Sequence, residues 1–205
     1  MIQASIYLFT RFSYINFLDL DIERNLPTFY SSLAIEFCAL LLFIVFIHEK
    51  QQKSRDKCHW FGLASIFVFL GLDEGTKLHE HLGDVMESLI TTSGLLHFPW
   101  VIPYGSALIV LTIFYTPWFL RLPPSTRRGF FTAGFIFIFG ALGLETLSAR
   151  EYELNGSSSV TYTVLYTIEE TCEMVGIALF SKYILRHMEE TFREVTFKIQ
   201  SELKS

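Results

Sequence analysis

Long apolar runs constrain this chain more than any other feature. A run of about 18 or more apolar residues reads as a membrane span, because about 20 helical residues cross a ~30 Å hydrocarbon layer. Lipid offers no partner for backbone N–H and C=O groups, so each such run must be helical. Five segments are candidates: about Pro27 to Ile47, a second starting near His59, Trp100 to Leu120, Gly129 to Leu147 and Val160 to Leu185. The expected fold is all-α, a polytopic membrane helix bundle with five transmembrane helices. The second candidate is the weakest. Its clean apolar part, Trp60 to Leu72, is too short to cross alone. It must continue through Asp73, Glu74 and Lys77, or turn back as a re-entrant helix.

The loops argue for a spanning second helix. Lys50, Lys53, Arg55 and Lys57 follow the first span, Arg121, Arg127 and Arg128 separate the third and fourth, and Arg186, Arg193, Lys198 and Lys204 follow the fifth. Five spans put all three basic segments on one side, which the positive-inside rule makes cytoplasmic. The opposite side receives Asp19, Asp21 and Glu23, the Asp84/Glu87 segment, and Glu151/Glu153. The expectation is a multi-pass protein of the cell inner (plasma) membrane, N-terminus outside and C-terminus cytoplasmic. Residues 1–26 form an outer or interfacial segment, 27–187 the membrane domain and 188–205 a cytoplasmic tail.

Other features narrow the field. The first 20 residues contain Arg11, Asn16 and Asp19, so no cleavable signal is expected. Cys38, Cys58 and Cys172 form neither a disulfide framework nor a CxxC zinc pattern. The net charge is −5 and topology accounts for the basic clusters, so no nucleic-acid partner is expected. The partners expected are membrane lipids and, given 21 Phe, nine Tyr and three Trp for helix packing, other membrane subunits.

The informative residues are acids inside the spans: Glu36, Asp73, Glu74, Glu145, Glu169, Glu170 and Glu173, against Lys77 as the one obvious cation. An ionised acid at membrane depth costs about 2.5–3.5 kcal/mol even on the lenient insertion scale. Such groups should face the protein interior and be neutralised by protons, a cation or a metal. At ~1.5 Å per residue, Asp73 lies about 21 Å and Glu145 about 25 Å from the inner ends of their spans, and Glu169 about 14 Å below the outer face. The acids therefore share the outer half of the bundle.

Helical phase sharpens the set. At ~100° per residue, Asp73, Glu74, Lys77, Glu80, His81 and Asp84 share one sector, while His79 falls on the far side. A kink near Gly75 reverses that ranking. Tyr162, Tyr166, Glu169, Glu170 and Glu173 share a sector of the fifth span. On the fourth, Gly134, Ala141 and Glu145 align as a small face for close helix approach. Glutamates from separate helices plus a histidine match the inventory of a carboxylate di-metal site. Hard oxygen ligands with imidazole suit Fe, Mn or Zn. The candidate metal set is Asp73, Glu74, His79, Glu80, His81, Glu145, Glu169, Glu170 and Glu173, with Tyr166 beside it. The usual Glu-x-x-His element is missing. Bland alternatives stand beside it: Asp73 or Glu74 pairs with Lys77, His79 and His81 are solvated headgroup-level residues, and Arg150 neutralises Glu145. At the N-terminal end, Pro27 suits a first helical turn, with Asn25 or a nearby residue as its cap.

Four motifs carry a resemblance. The run Asp19-Leu-Asp21-Ile-Glu23-Arg-Asn25-Leu-Pro27-Thr-Phe-Tyr-Ser31-Ser32, Leu72-Asp73-Glu74 with Leu78-His79-Glu80, Gly143-Leu-Glu145, and Glu169-Glu170-x-x-Glu173-Met174-x-Gly176 resemble a widespread family of uncharacterised bacterial multi-pass membrane proteins. The similarity covers most of residues 19–187. It implies a shared intramembrane polar site that includes His79-Glu80, and no activity. Three functions remain expected: a metal-dependent oxidoreductase- or hydrolase-like protein acting on a lipid-soluble substrate, a proton or cation transport component, and a non-catalytic subunit of a larger membrane complex.

Overall fold

The computed structural model describes Leu20 and residues 25–192. The acidic run Asp19, Asp21 and Glu23, most of the outer segment and most of the basic tail lie outside the described residues. Every regular element described is helical. They are α1 (Leu26–Gln51), α2 (Lys57–Thr76), α3 (Leu78–Leu89), a short 3₁₀ turn (Gly94–Leu96), α4 (Val101–Phe119), α5 (Pro124–Ile138), a π-helical segment (Phe139–Leu144), α6 (Glu145–Asn155) and α7 (Val160–Thr191).

The start of α1 follows local chemistry. The Asn25 side chain accepts from the Thr28 N–H at 3.2 Å, and Pro27 occupies the first turn, where its missing N–H has no cost. α1 packs on α2 and α7, and α5 packs on α7. Ile35, Cys38, Leu42 and Val45 of α1 meet Trp60, Ala64 and Phe67 of α2, Phe130 and Ala133 of α5, and Ile177, Phe180 and Ile184 of α7. α4 joins this core only at its C-terminal end, through Trp118 with Tyr115 and Phe119 beside it. Its buried residues are Val101 and Trp118, one at each end. Ile109, Val110, Ile113 and Phe114 on its outer face are each more than 60% exposed, which suits a lipid-facing surface.

Among the described residues, three helices are long and apolar enough to cross a membrane: Leu26–Gln51, Val101–Phe119 and the continuous Pro124–Asn155. The expectation of five is met in that part. The two helices that fall short carry the acids, Asp73 and Glu74 on α2 and Glu169, Glu170 and Glu173 on α7, which dilute otherwise apolar stretches.

The basic segments do converge on one end. Arg121 at the end of α4 donates to Asp56 before α2, Ser125 at the start of α5 donates to Glu190 on α7 at 2.6 Å, and His48 of α1 stacks on Phe192. The Ser125 hydroxyl and Arg186 hold the Glu190 carboxyl below its ordinary range. The opposite end is closed by the Gly94 N–H donating to Glu153 and by Tyr152 packed between Phe98 and Tyr162.

One phase expectation is corrected. Gly134 meets no neighbour, while Gly140 carries the close approach: a Cβ there would sit 2.8 Å from the Glu169 carbonyl oxygen. The π segment inserts an extra residue into the turn, so a ~100° register read from Gly134 does not carry through to Glu145.

Candidate functional site

The junction of α2 and α3 builds the first wall of the site. Lys77 adopts a left-handed conformation with φ 60°, which ends α2 and starts α3 in a new direction. Asp73, 5% exposed, reaches across this break. Its Oδ1 accepts the His79 backbone N–H at 2.7 Å and lies 3.4 Å from His79 Nδ1. An anion at the exposed N–H groups of a helix start is favourable, so the carboxylate both caps α3 and orients the imidazole. The Tyr104 hydroxyl of α4 approaches the same carboxylate. The break also answers the histidine question. His79 turns inward and packs on Trp100 with ring centroids 4.8 Å apart. His81, the better partner for a straight helix, is exposed with Nδ1 against the Lys77 carbonyl oxygen at 2.7 Å. Lys77 itself pairs with Glu80 at 3.2 Å.

The second wall comes from the π segment, α6 and α7. Trp100 Nε1 donates to Glu145 at 3.0 Å, and Ser148 Oγ donates to the buried Glu169 at 2.9 Å. The Glu145 and Glu169 carboxyls approach each other at this wall. An ionised carboxylate only accepts, so a hydrogen bond between the two would require one of them to carry a proton. Glu173 lies in the electrostatic reach of Glu74, Glu145, Glu170 and His79. Close approach of α7 at Gly140 brings this acidic face against Glu145.

The acids open onto one large cavity of about 1250 Å³. Asp73, Glu74, Glu80, Asp84, Glu87, Glu145, Glu169, Glu170 and Glu173 line it together with His79 and His97. His81 and Glu36 are not among its lining residues, and Glu36 packs over Gly71 instead. From the acids the cavity continues beside α4, along Tyr104, Leu108, Leu111, Tyr115 and Trp118, residues spaced three or four apart on one helix stripe. Phe67, Phe130 and Phe180 form its opposite side in stacked contact, with centroids 4.5 to 4.8 Å apart.

The expected Fe, Mn or Zn site finds no support in this geometry. Among the described residues no group of three or more His, Cys, Asp or Glu is arranged to hold a metal ion. The acids are gathered, but hydrogen bonds to tryptophan, serine, backbone and one another engage the central ones. The sequence reading missed Trp100, Tyr104 and Ser148. Aromatics at the outer end of a span read equally well as interfacial anchors, and Ser148 follows Glu145 by three residues, the one spacing that pointed to it.

No curated protein and no solved structure matches the chain. A family model described as a domain of unknown function, DUF8692, matches residues 7–187.

Proposed function

The chain belongs to the DUF8692 family, and we propose that it is a five-span, N-out membrane protein that admits a lipid-soluble substrate and acts on its polar end by carboxylate and histidine proton transfer. The observation that carries this reading is the single cavity joining the acids to a long aromatic-lined lumen. The two parts suit the two ends of an amphiphile. What supports five spans is the length of α2, whose 20 residues reach about 30 Å, together with the convergence of the basic segments at one end.

The chemistry follows from the contacts. With Nδ1 turned to Asp73, the Nε2 of His79 is the basic nitrogen, positioned to take a proton from water or a hydroxyl. The Glu145–Glu169 pair holds a proton for a leaving group. This arrangement supports a hydrolase-like reaction. The test is incubation of the protein in vesicles made from a total membrane lipid extract, followed by mass spectrometry. Wild type should convert at least one lipid-soluble component, and His79→Gln should slow that conversion by ~10²–10⁴-fold. Unchanged lipid with wild type overturns the reading. Proton or cation flux abolished by Glu170→Gln, without conversion, supports the transport function instead.

A further inference from the structure

α3 is inside out for a helix surrounded by water. At ~100° per residue, Leu78, Leu82, Val85, Met86 and Leu89 fall in one sector about 100° wide, and the opposite side carries His79, Glu80, Gly83, Asp84 and Glu87. An amphipathic helix on a soluble domain turns such an apolar stripe toward the core. Here the polar side faces the protein. Gly83 is the buried residue of α3, and a Cβ there would lie 3.6 Å from Trp100 Cβ. Glu80, Asp84 and Glu87 line the cavity. The apolar stripe faces away from both, with Leu78, Val85 and Leu89 46%, 55% and 72% exposed.

Level and size name what covers the stripe. α2 reaches about 30 Å from Lys57 to Thr76, so the break at Lys77 sets α3 at the limit of the hydrocarbon layer. The residues leading into and out of α3 are apolar and exposed as well: Phe69 and Leu72 before it, Ile90, Leu95 and Leu96 after it. An amphipathic helix at that level lies in the membrane plane with its apolar side among acyl chains. A protein partner fits poorly. At ~1.5 Å rise the 12 residues of α3 are about 18 Å long and about 10 Å wide, a face of roughly 200 Å², against roughly 800 Å² per partner in a stable interface.

We infer that α3 is an in-plane membrane helix. It seats the stripe of Leu78, Leu82, Val85, Met86 and Leu89 in the acyl chains of the leaflet at the acidic end and holds its own acids over the cavity. This rests on the reading of α2 and α4 as membrane spans. The test uses the full chain in phosphatidylcholine vesicles, in a Cys38→Ser/Cys58→Ser/Cys172→Ser background. Single cysteines replace Val85, Asp84 and Ile113 in turn and carry a nitroxide label. Collision rates are read with oxygen, which concentrates in lipid, and with a nickel chelate, which stays in water. Oxygen should dominate at Val85 and at Ile113, and the order should reverse at Asp84. Loss of the contrast between Val85 and Asp84 overturns the inference, and oxygen dominance at Ile113 then leaves the spans standing. Shielding of Val85 from both probes means that protein covers the stripe, a second copy or another subunit, and also overturns it. Nickel dominance at Ile113 overturns the span reading itself. The unsubstituted chain gives an independent measurement. Adducts from a lipid-borne carbene precursor should fall on Val85, Met86 and Leu89 as well as on α4, and adducts on α4 without any on α3 overturn the inference.

Discussion

At the scale of single residues, the site depends on one backbone angle. Lys77 at φ 60° is where α2 stops and α3 restarts, and that break decides which histidine faces the acids. Phase counting over residues 73–84 assumed an unbroken helix and so favoured His81. The sequence carried Gly75 as a hint of a break, but nothing at Lys77 itself announces a left-handed residue. A fully buried histidine, His187, sits at the basic end and offers a clean measurement. It is 4% exposed, stacked on Trp60 at 4.9 Å and hydrogen-bonded to Thr126 at 3.0 Å. Burial pushes its pKa below the usual histidine value, with His48 acting the same way and Glu49 and Glu190 opposing. The fold therefore keeps His187 neutral. As pH falls below about 6.5, the unfolded chain takes up a proton that the fold resists. Stability present at neutral pH is lost on the acid side. The melting temperature of the detergent-purified protein should fall from pH 7 to pH 5, and His187→Phe should flatten that slope. A slope unchanged by the substitution would assign it to other groups.

At the scale of elements, close contact is concentrated at the π segment and α7. Gly140 lets the two backbones meet beside Glu169, and Gly176 does the same against Phe137. Adding a side chain at Gly140 forces α7 outward by overpacking, so Gly140→Leu should cost about 1–3 kcal/mol. Gly134→Ala faces open space and should be neutral or stabilise by up to ~1 kcal/mol through helix propensity. Equal effects at the two positions would argue against the re-phased helix. The helices themselves were legible because apolar runs and the Asn25–Pro27 start are strong local signals. The π insertion was not, because it arises from packing of Phe139–Leu144 against α7 and has no composition of its own. Counting spans was also limited, since α2 and α7 give up apolar character to the acids they carry.

At the scale of the molecule, the sequence placed acids of α2, α6 and α7 in the outer half, and the structure brings those acids to one lumen. Their engagement by Trp100, Ser148 and one another was out of reach, because these contacts join helices distant in the chain. Topology can be tested with the native cysteines. Cys58 is exposed at the basic end, and Cys38 is buried. In a Cys38→Ser/Cys172→Ser background, an impermeant thiol reagent should label Cys58 only after the cytoplasmic face is opened. Labelling in intact cells would reverse the proposed orientation.

α4 has apolar surface toward lipid and apolar surface toward the lumen, and its burial is confined to its two ends. A partition wetted by hydrocarbon on both sides gains almost nothing from closing, because lipid tails are as apolar as the side chains they replace. Its resting position is then set at two latches, Trp100 on Glu145 at the acidic end and Trp118 against His59 and Trp60 at the basic end. Under the proposed function, swinging it outward would trade one oily surface for another, so entry from the bilayer would be governed by those latches and scarcely by hydrophobic work.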